Sequence, residues 1–430
     1  MVRSCNGLAA RLALLGTLCG AGRWSLAQTT TAPSPPPSTA PEPAPELAPE
    51  PEPTFPLPLV AIHGFVSQGA FLSTDNDYLG RSERGSFEFF EAAVNVSTEV
   101  ADRLRVGAQL FTRDLGPVGN YEMSLDWAYL DYRWREWLGL RAGRIKMPMG
   151  LYNEYSDIDA ARVPILLPQS VYPIVSRDFL LAQTGFSLYG SRSLDAAGGA
   201  DYQIFGGTIF ITQSSYVDTP ELRDIDTKVV AGAQLFWRTP VVGLRLGASY
   251  LHADIAFHLQ YDAYTTAQLI MSGAVEPGFD GKFELGLRDI HLAIGSLEYS
   301  IGDWVLAAEY SRWWFEIYTT LPLLPGSQED SERMYGMVTR RLLPWLEAGA
   351  YYSLYFVDPD DRGGHGDRFA APDRAFQKDL AVSARFDVND WWLWKLEAHY
   401  MDGAADLSPV TNPDPTRRWG FFLVKTTVSF

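Results

Sequence analysis

Cysteine is almost absent: the only two, Cys5 and Cys19, fall within the first 27 residues. Those residues carry Arg3 and Arg11, an apolar run from Leu12 to Leu18 and a small-x-small end at Ser25-Leu26-Ala27. That layout is expected of a secretory signal cleaved after Ala27. The remaining chain would then hold no thiol, which excludes disulfides, thiolate nucleophiles and cysteine metal sites. A lipid anchor on Cys19 is the competing reading, and it fits less well because Leu18 stands where that motif needs a small residue.

Other absences narrow the function. Beyond the signal, no apolar run reaches the ~20 residues of a membrane helix. Lysine and arginine number 35 against 52 acids, giving a net charge of −17, which argues against nucleic acid as a partner. Paired catalytic groups are lacking too. His63, His252, His258, His291, His365 and His399 are scattered outside any nucleophile or metal motif, so neither an enzyme nor a cofactor is expected. His365 reads as a loop residue. Asp358 to Gly364 has the look of a calcium loop, but Arg362 occupies a ligand position, and an acidic external loop is the better reading.

Three regions emerge from composition. Residues 1–27 form the signal. Residues 28–58 are dominated by Pro, Ala, Thr and Glu, and a run such as Pro41 to Glu46 favours extended polyproline II over a packed core. This stretch reads as a periplasmic spacer, with a tether to the cell wall or a periplasmic partner as the sharper alternative. Residues 59–430 behave differently. Apolar and polar residues alternate over about ten positions at a time, the signature of a membrane β-barrel strand. Leu104, Val106, Ala108 and Leu110 alternate with Arg103, Arg105, Gly107 and Gln109. Trp392, Trp394, Leu396, Ala398 and Tyr400 alternate with Leu393, Lys395, Glu397 and His399. The apolar set is expected to face lipid and the polar set the lumen.

Connections alternate as well. Short ones at 101–102, 135–136, 196–199, 239–242, 302–303, 343–344 and 389–390 separate long ones at 74–85, 114–120, 147–179, 213–227, 254–284, 319–331, 358–375 and 402–416. The count predicts an all-β transmembrane antiparallel barrel of about sixteen strands, with short turns on the periplasmic side. Fourteen and eighteen strands stay open, because 254–284 is long enough to hold a hairpin. Trp127 to Trp137, Trp313, Trp314 and Trp391 to Trp394 are expected at the membrane interfaces. A water-soluble sandwich would need a second layer over every apolar face.

One segment breaks the pattern. After the strand starting at Trp137, residues 147–181 contain Pro148, Pro164, Pro168 and Pro173, yet Val163 to Leu167 are too apolar for a solvated tip. A loop of this length is functional or misassigned. It is expected to fold into the lumen and narrow it.

The final stretch places Phe422, Val424, Thr426, Val428 and Phe430 on one face and ends on Phe. It resembles the closing strand of bacterial outer-membrane proteins, in which the terminal aromatic is read by the barrel-assembly machinery. With sixteen strands and a long loop after the fifth, residues 59–430 resemble the Gram-negative porins, the general and phosphate-selective types among them. The resemblance implies an outer-membrane homotrimer in contact with lipid and lipopolysaccharide, passing small hydrophilic solutes. It implies a constriction where loop acids Glu154, Asp157 and Asp159 face wall bases Arg103, Arg105, Arg113, Arg141 and Arg144, with Lys146 beside them. The Pro-Glu-Phe-Gly-Gly pattern of enterobacterial porins is absent from this loop. A fixed charge ring of this kind selects among ions. The alternative function is a mainly structural barrel tethered through residues 28–58.

Overall fold

The structure, a computed structural model, describes residues 59–430 except 117–118, 210–220, 322–325, 367, 370 and 410. The expected signal (1–27) and proline-rich spacer (28–58) lie outside the described residues.

Sixteen strands form one closed antiparallel barrel in which each strand pairs with its sequence neighbours and the last returns to the first. They are β1 (Val60–Ser73), β2 (Phe89–Ala101), β3 (Leu104–Leu115), β4 (Met123–Arg135), β5 (Leu138–Lys146), β6 (Ala182–Ser193), β7 (Gly199–Thr208) and β8 (Glu221–Arg238). The second half comprises β9 (Leu244–Gln260), β10 (Lys282–Ile301), β11 (Trp304–Thr319), β12 (Ser327–Leu343), β13 (Leu346–Phe356), β14 (Phe376–Asn389), β15 (Trp392–Gly403) and β16 (Arg418–Ser429). Closure gives every strand a partner on both sides, the condition for a sheet to cross a membrane. At the seam, Phe65 pairs with Ser429 and Ser73 with Phe421.

Burial is inverted relative to a soluble protein. Val94, Leu110, Leu130, Phe186, Ile204, Leu235, Val382, Leu396 and Phe422 are all exposed on the outside. Their polar neighbours in the alternation, among them Ser67, Gln109, Gln203, Ser249, Ser383, Lys395 and Lys425, are buried. This is the apolar-out, polar-in order of a transmembrane barrel. Exposed aromatics mark the two rims of the apolar belt. Trp134, Trp137, Trp237, Trp304, Trp345, Trp391, Trp392 and Trp394 line the short-turn side, and Tyr250, Tyr310, Tyr352 and Tyr400 the long-loop side. On β11 the span from Trp304 to Tyr310 is about 20 Å along the strand at ~3.4 Å per residue. Trp313 departs from its expected place at an interface. It is buried on the inward face under the Arg333 guanidinium, 3.8 Å from the ring centre.

The turns fall where expected, but several long connections shrink. The 254–284 stretch is not one loop. β9 and β10 run into it from both ends, and a nine-residue helix, Ala263–Met271, lies between them. Asp262 caps that helix by accepting the Thr265 N–H at 2.8 Å. The 213–227 and 319–331 connections likewise give way to β8 from Glu221 and β12 from Ser327. As a result β8 to β12 contain 16 to 20 residues, more than the ~9–11 that cross a bilayer. They overshoot the tyrosine rim. Bulges beside Asp254, between Thr227 and Val230 on β8 and between Leu287 and Ile290 on β10, interrupt the register where the overshoot begins.

Candidate pore constriction

Residues 147–181 join β5 to β6 and bond to strands all around the ring. At one end, the Gly150 N–H donates to Ser249 Oγ of β9 at 3.1 Å, and the Leu151 N–H to Glu309 of β11 at 2.9 Å. Near the middle, Asp159 accepts from Ser67 of β1 at 3.4 Å and from Thr427 of β16 at 2.7 Å. β1 and β9 stand eight strands apart in either direction round the sixteen-strand ring.

Four buried polar clasps hold the segment. Asp157 bonds to Lys146 and accepts from Gln109 Nε2 at 2.7 Å, and Asp126 holds Lys146 at 3.4 Å and Arg177 at 2.9 Å. Asp159 lies 2.7 Å from Lys425 and 3.5 Å from Lys395. Glu397 accepts the Ile165 and Leu166 N–H groups at 2.6 and 2.9 Å, and His399 bridges it to Asp379. Tyr172 donates to Glu309, which also accepts from Tyr335 at 2.8 Å. Between the clasps, Met147, Met149, Leu151, Leu167 and Val171 pack on Leu251, Leu292, Trp313 and Met337 of the wall. The apolar half of the segment thus buries itself against inward-facing side chains, which explains its composition.

The expected acids take different roles. Burial would raise the Asp159 carboxyl, but Lys425, Lys395 and Arg162 hold it well below the usual carboxylate range. Asp157, also buried, is lowered by Lys146 and Arg177. Both are fixed in contact pairs. Glu154 lines a cavity of about 460 Å³ with Arg133, Glu136, Tyr189 and Asp201, and burial raises its carboxyl against the pull of Arg141 and Lys146.

The expected bases divide as well. Arg103 is not on β3. It occupies the preceding turn with φ +65°, donates to the Trp134 carbonyl at 3.0 Å and lies 3.7 Å from Asp102. A two-residue turn here demands a left-handed residue, and the alternation that assigned Arg103 to the strand ends one position early. Arg105 donates to Ser97 Oγ at 2.8 Å on the neighbouring strand. Arg113 is buried and reaches the Ile174 carbonyl of the loop at 3.5 Å. Arg141 pairs with Asp131 at 3.1 Å and covers the Tyr189 ring at 4.4 Å. Arg144 donates to the Asp126 carbonyl at 3.2 Å. Beyond Gly143, at φ +130°, the alternation slips and Lys146 turns to the loop. Phe430 exchanges backbone hydrogen bonds with Gly64 at 2.9 and 3.0 Å across the seam.

Sequence reasoning missed Lys395, Lys425, Glu397, Glu309, Asp126 and Arg162. The first three were legible as inward-facing charges in otherwise apolar strands. Nothing in a linear pattern pairs them with a loop more than two hundred residues away. In the 358–364 run, Asp361 accepts the His365 and Gly366 N–H groups at 2.9 and 2.8 Å, and Arg368 holds Asp358 at 3.2 Å.

No family model and no curated protein matches the chain. Solved structures do. OmpT of Vibrio cholerae superposes with a TM-score of 0.53 at 11% identity, covering 86% of this chain and 97% of that one. An anion-selective porin from Comamonas acidovorans gives 0.52 at 9% identity, over 87% and 100%. Salmonella typhi OmpF, in a complex with daunomycin, gives 0.52 at 11% identity, over 86% and 97%. One Vibrio cholerae OmpT structure, at 0.50, 12% identity and coverage of 87% and 99%, is described as a trimer form. The fold is that of the sixteen-stranded porins.

Proposed function

We propose that the protein is an outer-membrane diffusion channel for small hydrophilic solutes, with residues 147–181 lying across the lumen and lining its narrowest part. One observation carries this reading: the same loop bonds Ser67 on β1 and Ser249 on β9, strands diametrically opposed in the ring. A segment tied to both sides of a closed barrel divides its interior. Charge then governs passage, because ions cross close to fixed side chains between low-dielectric walls. Within that scheme Asp157 and Asp159 anchor the loop, while Glu154, Arg113, Arg141 and Arg144 set the local field. By analogy with the trimeric relative, three copies assemble side by side in the membrane, in contact with lipopolysaccharide. Phe430 serves as the signal to the assembly machinery.

Single-channel recording on refolded full-length protein tests the reading. Discrete conductance steps in potassium chloride are expected, and their absence would leave the tethered structural barrel as the function. Zero-current potentials under a salt gradient test the charge assignment. Neutralising Arg113, Arg141 and Arg144 together should move selectivity toward cations. The shift should shrink near 1 M salt, where the Debye length is ~3 Å. A potential identical to wild type at moderate salt would remove these arginines from the ion path.

A further inference from the structure

Two cavities flank the loop. One, of about 50 Å³, lies at the long-loop end of β2, between Phe89 and Glu91 and the loop residues Leu167, Ile174 and Arg177. The other, of about 220 Å³, lies against the short-turn ends of β10 to β14, at Ser300, Val305, Thr339 and Glu347. Arg162 is the one residue that lines both.

Its guanidinium is held but not saturated. The side chain is only 9% exposed. Nη1 donates to the Ile165 carbonyl at 2.6 Å, and Nη2 lies 3.5 Å from Asp159. Nε is buried and has no hydrogen-bond partner. A charged donor withdrawn from water without an acceptor is costly unless a ligand supplies one. Asp159 cannot fully compensate, since Lys395 and Lys425 share the same carboxylate. The other charged residues of the upper cavity have partners of their own: Glu91 holds Lys425, Asp157 holds Lys146, and Arg177 holds Asp126. The rest of that cavity is largely apolar, with Phe89, Ile165, Leu166, Leu167 and Leu180 on its walls.

We propose that Arg162 forms a subsite for a short-chain monocarboxylate at the junction of the two cavities. A planar carboxylate would accept from the guanidinium hydrogens that Ile165 and Asp159 leave unused, and a tail of one to three carbons would lie on the apolar wall. The upper cavity has room for a few waters or one such group. This rests on the channel reading and names a solute class for it.

The test is chloride current through single channels of wild type, R162Q and R162K, with sodium propionate added. Wild type is expected to show concentration-dependent block, at least fivefold weaker in R162Q and partly restored in R162K. Calorimetric titration of wild-type protein in detergent supplies a measurement independent of conduction: propionate should bind, and propylammonium, of similar size and opposite charge, should not. Clear chloride steps with no propionate block, or equal block in wild type and R162Q, would overturn the subsite and leave the channel reading intact. A protein without chloride steps that still binds propionate through Arg162 would overturn the channel reading and retain the subsite. Absence of both overturns both.

Discussion

The Lys425 ammonium on the closing strand lies 2.7 Å from the carboxylate of Asp159, midway along the segment between β5 and β6. Both side chains are only 1% exposed. A loop made early in the chain is thus fastened by the last strand.

Breaking that pair from one side should be expensive. D159N leaves Lys395 buried without its carboxylate and Lys425 with Glu91 alone, and a one-sided break of a buried pair typically costs about 3–5 kcal/mol. The expected result is early cleavage within 147–181 by added protease, with the barrel still resistant. Pairing D159N with K395M, which removes the lysine stranded by the first change, should recover part of the loss, giving a coupling on the order of 1–3 kcal/mol in urea unfolding. Strict additivity would show that the two residues do not act together.

Acid should release the loop late. Asp159 is buried yet held well below the usual carboxylate range by Lys425, Lys395 and Arg162, and Asp157 is lowered through Lys146 and Arg177. A carboxyl with a depressed folded pKa contributes stability above its unfolded value, near ~4, and loses it as pH falls through the lower folded value. Protease cleavage in the loop should therefore stay flat from pH 7 to about 4 and rise only below. A rise already at pH 5 would contradict the anchoring role.

Glu154 should behave in the opposite sense. Burial raises its carboxyl, so it gains negative charge only above the ordinary glutamate value of ~4.3. Cation preference should therefore grow as pH climbs through that raised value, and E154Q should abolish this growth. Identical pH profiles for the two proteins would remove Glu154 from the ion path.

The seam offers a fourth test. A Cβ on Gly64 would come within 2.6 Å of the Phe430 ring and 2.7 Å of the Ala93 carbonyl. G64V and deletion of Phe430 should both reduce the yield of folded barrel severalfold, because each disturbs the hydrogen bonds that Gly64 and Phe430 exchange. The conductance of the molecules that do fold should be unchanged. Normal yields of both variants would show that closure does not depend on this contact.

The barrel was legible because period-2 alternation reports directly which face a residue takes, and short turns separate the strands cleanly. Lys395, Glu397 and His399 were assigned to the lumen on that basis, and the structure agrees. Alternation carries no information about which inward residues meet across the lumen. The Asp159–Lys395 and Glu397–Ile165 contacts were therefore invisible. Strand length was misjudged for a related reason. Above the bilayer the outer face of β8 to β12 turns polar, as at Asp254, Glu284 and Arg312, so the outward apolar stripe that marks a membrane strand stops short of the strand's end. Arg103 failed because one left-handed turn residue can sit in phase with the strand that follows it.

Beyond Tyr250, β9 continues to Gln260, and beyond Tyr310, β11 continues to Thr319, about 30 Å of sheet at ~3.3 Å per residue. Past Tyr400, β15 ends at Gly403. The mouth therefore has a parapet on one side and a low lip on the other. In the channel reading proposed above, a solute moving along the cell surface would meet the low lip first, so capture would have a direction. In a ring of three copies, parapets turned inward would enclose a shared antechamber, and parapets turned outward would give three separate entrances screened from the surrounding envelope.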